Sequence, residues 1–347
     1  MTSTSPDPQK DLILITGAGG FIGGALVHYF REKGFERIRA VDRKPLREWY
    51  RPCPGVENLS MDLSHEEYCK RVVQGAREVY NLAADMGGMG FIERYRVECL
   101  RSILVNTHLI EAASNAGVER YFFSSTACVY NTALQADPHC RPLREADAYP
   151  ARPERGYGWE KLLSEIFCQE YYAERGLKTA IARFHNVYGP WGTWEGIRVK
   201  APAAICRKVI EAKDAGRDEI EVWGDGTQTR SFMYIDDCVA GIDRIAHCEH
   251  LNATPVNLGS SEMITINELV AHAEEIGGVR LKRKYLHDAP RGVAGRSSDN
   301  TMISGILGWE PSILVRDGLK TTYEWIEEQY HARKTGGRVA CGVAEVF

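Results

Sequence analysis

Leu12-Ile13-Leu14-Ile15-Thr16-Gly17-Ala18-Gly19-Gly20-Phe21-Ile22-Gly23 is a short apolar run that stops at a glycine loop and continues into a helical pattern reaching Phe30. A β-strand followed by a glycine turn and a helix is the context in which such glycines acquire meaning. They permit a tight turn and close backbone approach, while the helix N-terminus offers amide donors and a positive dipole to a pyrophosphate. Gly17, Gly20, Phe21, Ile22 and Gly23 are therefore the expected cradle of a dinucleotide. The spacing is Gly-x-x-Gly-x-x-Gly, with Gly19 also present.

Outward from this unit the pattern repeats. Arg37 to Asp42, the run around Val56 to Met61, Glu78 to Leu82, Arg120 to Ser124 and Lys178 to Phe184 read as strands separated by helical stretches. Parallel neighbours need crossover helices, so the alternation predicts an α/β class, a doubly wound parallel sheet (Rossmann fold), with ligands at the C-terminal ends of the strands. After Tyr188-Gly189-Pro190 the elements shorten and mix. Residues 200–212 read as helix, 221–223 and 231–234 as extended, and 236–246 as helix. Thr265-Ile266-Asn267-Glu268 fits a capping box, and 312–330 carries a last amphipathic helix. The expected organisation is a dinucleotide domain over 1–187, with a segment around 226–258 returning to it. A smaller mixed α/β substrate-binding lobe follows over 188–332, then a flexible tail over 333–347.

Asp42 closes the second strand, where a carboxylate accepts from ribose hydroxyls and repels a 2′-phosphate, which favours NAD over NADP. Arg43 beside it could hold such a phosphate and keeps NADP in view. Asp62-Leu63 either meets the adenine or caps a helix. Asn81-Leu82-Ala83-Ala84 ends the fourth strand in small residues, as a backbone lying against a nucleotide requires, with Ala83 at the contact. Tyr157-Gly158-Trp159-Glu160-Lys161, if helical, sets a phenol and an ammonium on one face, an arrangement expected to lower the phenol pKa and make a base for a sugar hydroxyl losing hydride. Thr126 would bond the same hydroxyl. Cys128, two residues on, is a further proton carrier that simple oxidation does not need, so the set points to epimerisation. The Met86-Gly87-Gly88-Met89-Gly90 loop is flexible enough to close over a sugar, its backbone amides facing ring hydroxyls, which nominates Gly87, Gly88 and Met89 as substrate contacts.

Composition constrains the rest. In 347 residues, 44% hydrophobic and 26% charged with a formal charge of −4, there is no basic field for nucleic acid or an anionic membrane. No stretch of roughly 18 apolar residues and no apolar signal core is seen, so a cytoplasmic address is expected. Ten cysteines without C-x-x-C or clustered Cys/His spacing argue against zinc and against a disulfide scaffold. Cys69, Cys168, Cys206 and Cys238 read as buried fillers of helices.

Taken together, the glycine loop, Asn81-Leu82-Ala83-Ala84, Asn106, Thr126, Tyr157, Lys161 and Arg183-Phe184-His185-Asn186-Val187-Tyr188-Gly189-Pro190 resemble the extended short-chain dehydrogenase/reductase superfamily over nearly the whole chain to about Tyr330. Within it, Ala83 to Phe91, the Ser-x-Ala-Cys element, Phe184-His185-Asn186, Gly192-Thr193-Trp194, Lys200 to Ala204, Trp223-Gly224-Asp225-Gly226 and Arg296 with Ser298-Asp299-Asn300 are most similar to the GDP-mannose 3,5-epimerases. That resemblance implies oxidation at C4 by tightly held NAD, inversion at C5 and C3 with Cys128 and Lys200 as the acid–base pair, and re-reduction, taking GDP-mannose to GDP-L-galactose, with GDP-L-gulose as the single-inversion product. It implies GDP-sugar contacts at Asn186, Lys200, Lys208, Arg230 and Arg296, and a homodimer built from the helices over 95–117 and 155–175. Relatives with other activities tend to carry a carboxylate or an inert residue where Cys128 stands. A 4-epimerase or decarboxylase, or a non-catalytic NAD-binding regulator, are the competing readings.

Overall fold

The computed structural model describes residues 6–289, 292–337 and 339. The first half alternates β1 (Leu12–Thr16), α1 (Phe21–Glu32), β2 (Ile38–Asp42), β3 (Glu57–Ser60), α2 (Glu66–Val72), β4 (Ala76–Asn81), α3 (Met89–Arg94), α4 (Arg96–Asn115), β5 (Arg120–Thr126), α5 (Tyr157–Arg175) and β6 (Lys178–Phe184). There follow β7 (Val187–Tyr188), α6 (Ala201–Asp214), β8 (Glu219–Trp223), β9 (Thr229–Ser231), β10 (Met233–Tyr234), α7 (Ile235–Ala246), β11 (Pro255–Leu258), β12 (Met263–Thr265), α8 (Ile266–Gly277), β13 (Lys282–Leu286), β14 (Gly295–Arg296), α9 (Thr301–Leu307) and α10 (Val315–Lys334).

Seven strands form one sheet in the order β11-β6-β5-β4-β1-β2-β3, every neighbouring pair parallel. Alternate side chains of the central strands feed two cores. Ile13, Ile15, Tyr80 and Phe122 pack with Leu26 and Phe30 of α1 and Ile242 of α7, whereas Leu14, Val79, Tyr121 and Phe123 pack with Val72, Leu109 and Cys168 of α2, α4 and α5. A strand buried on both faces must be apolar throughout, which is why β1 reads as an unbroken run. Between β1 and β4 the strand order reverses, and the crevice there opens toward the strand C-termini.

Beyond β6 the chain builds α6, α8 and α10 around a parallel β8–β13 pair and a three-stranded β12-β9-β14 sheet. Thr265 and Glu268 form the reciprocal capping box that opens α8. The chain rejoins the main sheet once, through β11 against β6, with α7 packed behind. The extended run at 231–234 is split at Phe232 into β9 and β10, which pair with different partners. Arg333 and Lys334, placed in the tail by the sequence pattern, end α10; residues 338 and 340–347 of that tail lie outside the described residues.

At the crevice a buried polar network fixes the strand ends. Asn81 Oδ1 accepts from Thr16 Oγ1 at 2.9 Å and from the Ala83 N–H at 3.2 Å, while Nδ2 donates to Asn106 Oδ1 at 2.9 Å and Tyr121 Oη at 2.8 Å. Asn106 in turn donates to Ser164 Oγ at 2.9 Å and to the Glu160 carboxylate, tying α4 to α5. Replacing Asn81 by Ala strands three buried groups, each costing about 1–3 kcal/mol, so urea unfolding should show a loss of roughly 3 kcal/mol or more. A change under about 0.5 kcal/mol, the size of an ordinary surface substitution, would mean that the network does not hold the strand ends.

Candidate active site

The glycine loop is built for contact at zero distance. Gly17 has φ +69°, and a Cβ there would fall 2.7 Å from the Leu82 carbonyl oxygen; one on Gly23 would fall 2.2 Å from the Gly17 oxygen. Loop, β4 end and first turn of α1 are thus packed backbone to backbone, and Gly17, Gly20, Phe21 and Ala83 line the crevice. Asp42 steadies the loop, its Oδ2 accepting from Gly19 N–H and its Oδ1 from Lys44 N–H, both at 3.0 Å. Arg43 reaches away to Asp85 at 3.0 Å. Asp62 acts as a local cap, accepting from Ser64 N–H at 2.9 Å while lining the crevice. Burial raises its pKa, but the Ser64 N–H and hydroxyl and the Arg43 charge outweigh that and leave it lowered.

Beyond β5 the chain turns sharply. Thr126, in extended conformation, accepts the Cys128 N–H on Oγ1 at 3.2 Å and so caps a single 3₁₀ turn over Ala127–Val129. The Cys128 carbonyl accepts the Glu154 N–H at 3.0 Å, and Gly158 packs on the same oxygen so closely that a Cβ would lie 2.3 Å away. Tyr157 is the first residue of α5 and Lys161 follows one turn on, both buried and both facing the crevice. Lys161 Nζ lies 4.6 Å from the ring centre of Phe123 and 5.9 Å from that of Tyr157, with no hydrogen-bond partner among the described residues.

The expected lowering of the phenol pKa by Lys161 is not what the protein's own groups produce. Burial pushes Tyr157 well up, Cys128, Glu160 and Cys99 add to the rise, and the Thr126 hydroxyl opposes it. The reason is desolvation, which disfavours phenolate and ammonium alike and drives Lys161 down. Burial also pushes the Cys128 thiol up to about 11, with Glu154 adding to the rise and Arg296 opposing it. Lys200 is lowered by burial.

Lys200 stands at the N-cap of α6, ahead of Ala201-Pro202-Ala203-Ala204. The segment before it is fastened to the Gly87-Gly88 loop: Gly88 N–H donates to Arg198 O at 3.0 Å, and a Cβ on Gly88 would lie 2.3 Å from the Val199 oxygen. The loop is therefore packed against that segment, and Met89 begins α3. Asn186 takes the left-handed conformation, φ 36°, which asparagine tolerates better than most residues, and donates to Ser231 O at 3.0 Å. Lys208 donates to Glu221 O at 2.8 Å, and Arg230 to Val293 O at 2.6 Å.

Asp42, Asp62, Thr126, Cys128, Tyr157, Lys161, Asn186, Lys200, Lys208 and Arg230 line one cavity of about 1590 Å³. That exceeds the roughly 300–1,000 Å³ of a single-ligand pocket and suits a dinucleotide and a second nucleotide end to end. The structure brings together every site residue expected from the sequence, Gly17, Gly20, Phe21, Ile22, Gly23, Asp42, Asp62, Leu63 and Ala83 at one end and Gly87, Gly88, Met89, Thr126, Cys128, Tyr157, Lys161, Asn186, Lys200, Lys208, Arg230 and Arg296 toward the other. Arg296 differs from expectation in its partners. It is a buried group bound to Glu154, Gln135 and the Cys128 sulfur while lining the cavity. Glu154 and Gln135 were not foreseen, because nothing local to Pro153-Glu154-Arg155 distinguishes it from a solvated loop.

The fit to a dinucleotide rests on two features, the loop where a Cβ would collide and the orphaned Lys161 ammonium. The NAD dependent epimerase/dehydratase family profile matches residues 13–259. The chain is 42% identical over 332 residues to GDP-mannose 3,5-epimerase 1 of Oryza sativa subsp. japonica, covering 95% of this chain and 85% of the relative. It is 42% identical over 334 residues to the GDP-mannose 3,5-epimerase of Arabidopsis thaliana, covering 95% and 86%. The solved structure of MoeE5 in complex with UDP-glucose and NAD superposes with a TM-score of 0.77 at 30% identity, covering 92% of this chain and 99% of that one. Gly23→Ala should lower NAD affinity at least about tenfold, an effect worth some 1.4 kcal/mol, read as nucleotide released from the purified protein. Wild-type NAD content in that variant would show that the backbone contact is not part of the cradle.

Proposed function

The chain belongs to the NAD dependent epimerase/dehydratase family, and from that membership we propose that it is a nucleotide-sugar epimerase converting GDP-mannose to GDP-L-galactose, with GDP-L-gulose as the single-inversion product. The observation that carries this reading is a thiol and an amine, Cys128 and Lys200, on the walls of the cavity that also holds Thr126, Tyr157 and Lys161. Burial lowers the pKa of Lys200, and the charge of Cys128 opposes that lowering.

Bound NAD supplies a hydride acceptor and later donor for C4, and a positive ring that offsets the burial of the phenol. Tyr157 takes the proton of the C4 hydroxyl, which Thr126 orients, with the Lys161 amine one helical turn away to act on the phenol electrostatically. A ketone at C4 acidifies the hydrogens on C3 and C5, which no side chain could remove from the parent sugar. Cys128 and Lys200 then act as proton carriers on the ring, one removing and one supplying a proton at the inverted carbon. Tyr157 returns its proton to O4 as the ketone is reduced. Gly17, Gly20, Phe21, Ile22, Gly23, Asp42, Asp62, Leu63 and Ala83 serve the dinucleotide. Asn186, Lys200, Lys208, Arg230, Arg296 and the Gly87-Gly88-Met89 segment serve the GDP-sugar.

Incubation with GDP-mannose in deuterated water, read by NMR, should place label at C5 and C3. No label at either carbon would reject epimerisation. Cys128→Ala should lose label at least about 10²-fold, the usual worth of a general acid or base. Tyr157→Phe should keep NAD while losing turnover, and undiminished activity would refute its proton role.

The outer faces of α4 and α5 support a homodimer. Val97 (67% exposed), Leu100 and Leu104 on α4, and Trp159 (49%), Leu163 (47%) and Ile166 on α5, repeat at helical spacing on two helices that pack side by side. Two copies joined there would form a four-helix bundle. Sedimentation at micromolar concentration should give the dimer mass, and Leu104→Glu with Leu163→Glu the monomer; a monomeric wild type would end this reading. A cytoplasmic setting is supported by nine unpaired cysteines among the described residues. No helix among them is long and apolar enough to cross a membrane.

A further inference from the structure

Between β7 and α6 the chain runs through residues 189–200 without a strand or helix, and Lys200 is the last of them. The first turn of α6 fixes it from one side only. Two residues back, on the other side, stands Arg198. Its Nη1 donates to Asp85 Oδ1 at 2.7 Å and to Met86 O at 3.0 Å, and its guanidinium lies 3.7 Å from the ring centre of Phe91. Its backbone is gripped as well, the carbonyl accepting from Gly88 N–H at 3.0 Å, and a Cβ on Gly87 would fall 3.0 Å from the Arg198 Cα. Asp85 is in turn held from two elements: its N–H donates to Ser102 Oγ of α4 at 2.9 Å, and its Oδ2 accepts from Arg43, just past β2, at 3.0 Å. Phe91 packs in one buried cluster with Cys128 and Tyr157, against which Ile197 also lies. One side chain thus ties the segment leading to Lys200 to the elements that carry the other proton carriers.

We propose that Arg198, held by Asp85, is a positioning residue for Lys200, fixing the backbone from which the amine reaches the sugar. The proposal rests on the reading of Lys200 as a proton carrier in the epimerisation. Proton transfer needs its two heavy atoms within about 2.6–3.2 Å of each other, and a displacement on the order of 1 Å can cost roughly 10²-fold in rate. A lysine amine on its flexible stem is directed first by where its Cα stands. A planar guanidinium suits the pin because it meets a carboxylate, a carbonyl and an aromatic face at once, which an ammonium does not do in one geometry. A partly exposed ion pair adds little to global stability, so the effect falls on placement rather than on folding.

Burial is the largest influence on the Lys200 amine and lowers its pKa, and the two thiols that face it, Cys128 after β5 and Cys238 on α7, oppose that lowering. Two modes of action for the pin therefore differ in sign. If Arg198 and Asp85 acted on the amine by charge through space, removing the cation would raise its pKa and removing the carboxylate would lower it. If they act by placement, losing either one frees the segment, admits water to the amine and raises its pKa.

The test is competitive acetylation of Lys200 by acetic anhydride across pH, read by mass spectrometry of its peptide, on the full chain with NAD bound. Arg198→Met and the nearly isosteric Asp85→Asn should both move the midpoint of the profile to higher pH by about one pH unit, roughly a tenfold fall in the neutral amine near neutrality. Arg198→Lys should lie between Arg198→Met and the wild type. In turnover with GDP-mannose in deuterated water, Arg198→Met should lower kcat for label incorporation at least about tenfold with KM held within about twofold, as expected of a group that acts beyond ground-state binding. Arg198→Met combined with Asp85→Asn should lose no more than about twofold beyond Arg198→Met alone, because the two act as one unit. Opposed shifts would show action by charge, and unchanged profiles, independent losses or an effect on KM alone would likewise overturn the positioning role. Shifted profiles in a protein that incorporates no deuterium would uphold the pin and remove the epimerase reading; unshifted profiles in an active epimerase would do the reverse.

Discussion

The carboxamide of Asn81 has two N–H donors and one acceptor oxygen, and the fold commits all three inside the protein. Its partners come from β1, β5, α4 and the turn after β4, so no neighbour can shift without unpairing a buried group. In a low-dielectric interior such a loss costs about 1–3 kcal/mol, a large share of a domain's net stability. The Asn81 carbonyl is held as well, accepting from Ser124 Oγ at 3.0 Å. The end of β4 is thereby fixed, and with it the Leu82 carbonyl against which Gly17 packs. Through Asn106 the same network reaches Glu160 and Ser164, and so sets the rotation of the helix that carries Tyr157 and Lys161. One hydrogen-bonding group thus links the nucleotide loop to the proton-transfer helix.

What could be read from the sequence is what local chemistry dictates. Gly17, Gly23 and Gly158 are required by backbone approaching backbone, and a glycine in a strand–turn–helix setting announces that need on its own. The four-residue step from Tyr157 to Lys161 and the capping box at Thr265 are properties of one helix. What could not be read depends on partners brought from afar. The ion pair of Arg296 could not be read because a lone arginine carries no mark of its partner, and Glu154 lies 142 residues away from it in the chain. The join of β11 to β6 and the split of 231–234 between two sheets follow from pairing choices that extended residues do not encode locally. Tyr157 shows a related limit: spacing reveals the neighbouring charge, but not the desolvation by which the protein's own groups raise the phenol.

The same desolvation gives the cavity its chemical character. Tyr157 and Cys128 are raised, while Lys161 and Lys200 are lowered, so four proton carriers of two types are all pushed toward their neutral forms. For a reaction that begins and ends with the cofactor in one redox state, this is the useful bias. Inversion at a carbon leaves one carrier with a proton it lacked and the other short of one. If the starting pair is a neutral amine and a thiol, the finishing pair is an ammonium and a thiolate, and the net charge of the cavity is unchanged. Charge separation within the pair is then the main electrostatic cost, and it falls on the sulfur, the more deeply buried of the two. A buried thiolate is tolerable only if a cation already in place meets it, because water cannot reorganise around it there. The Arg296 guanidinium is in contact with the sulfur and held by Glu154 and Gln135.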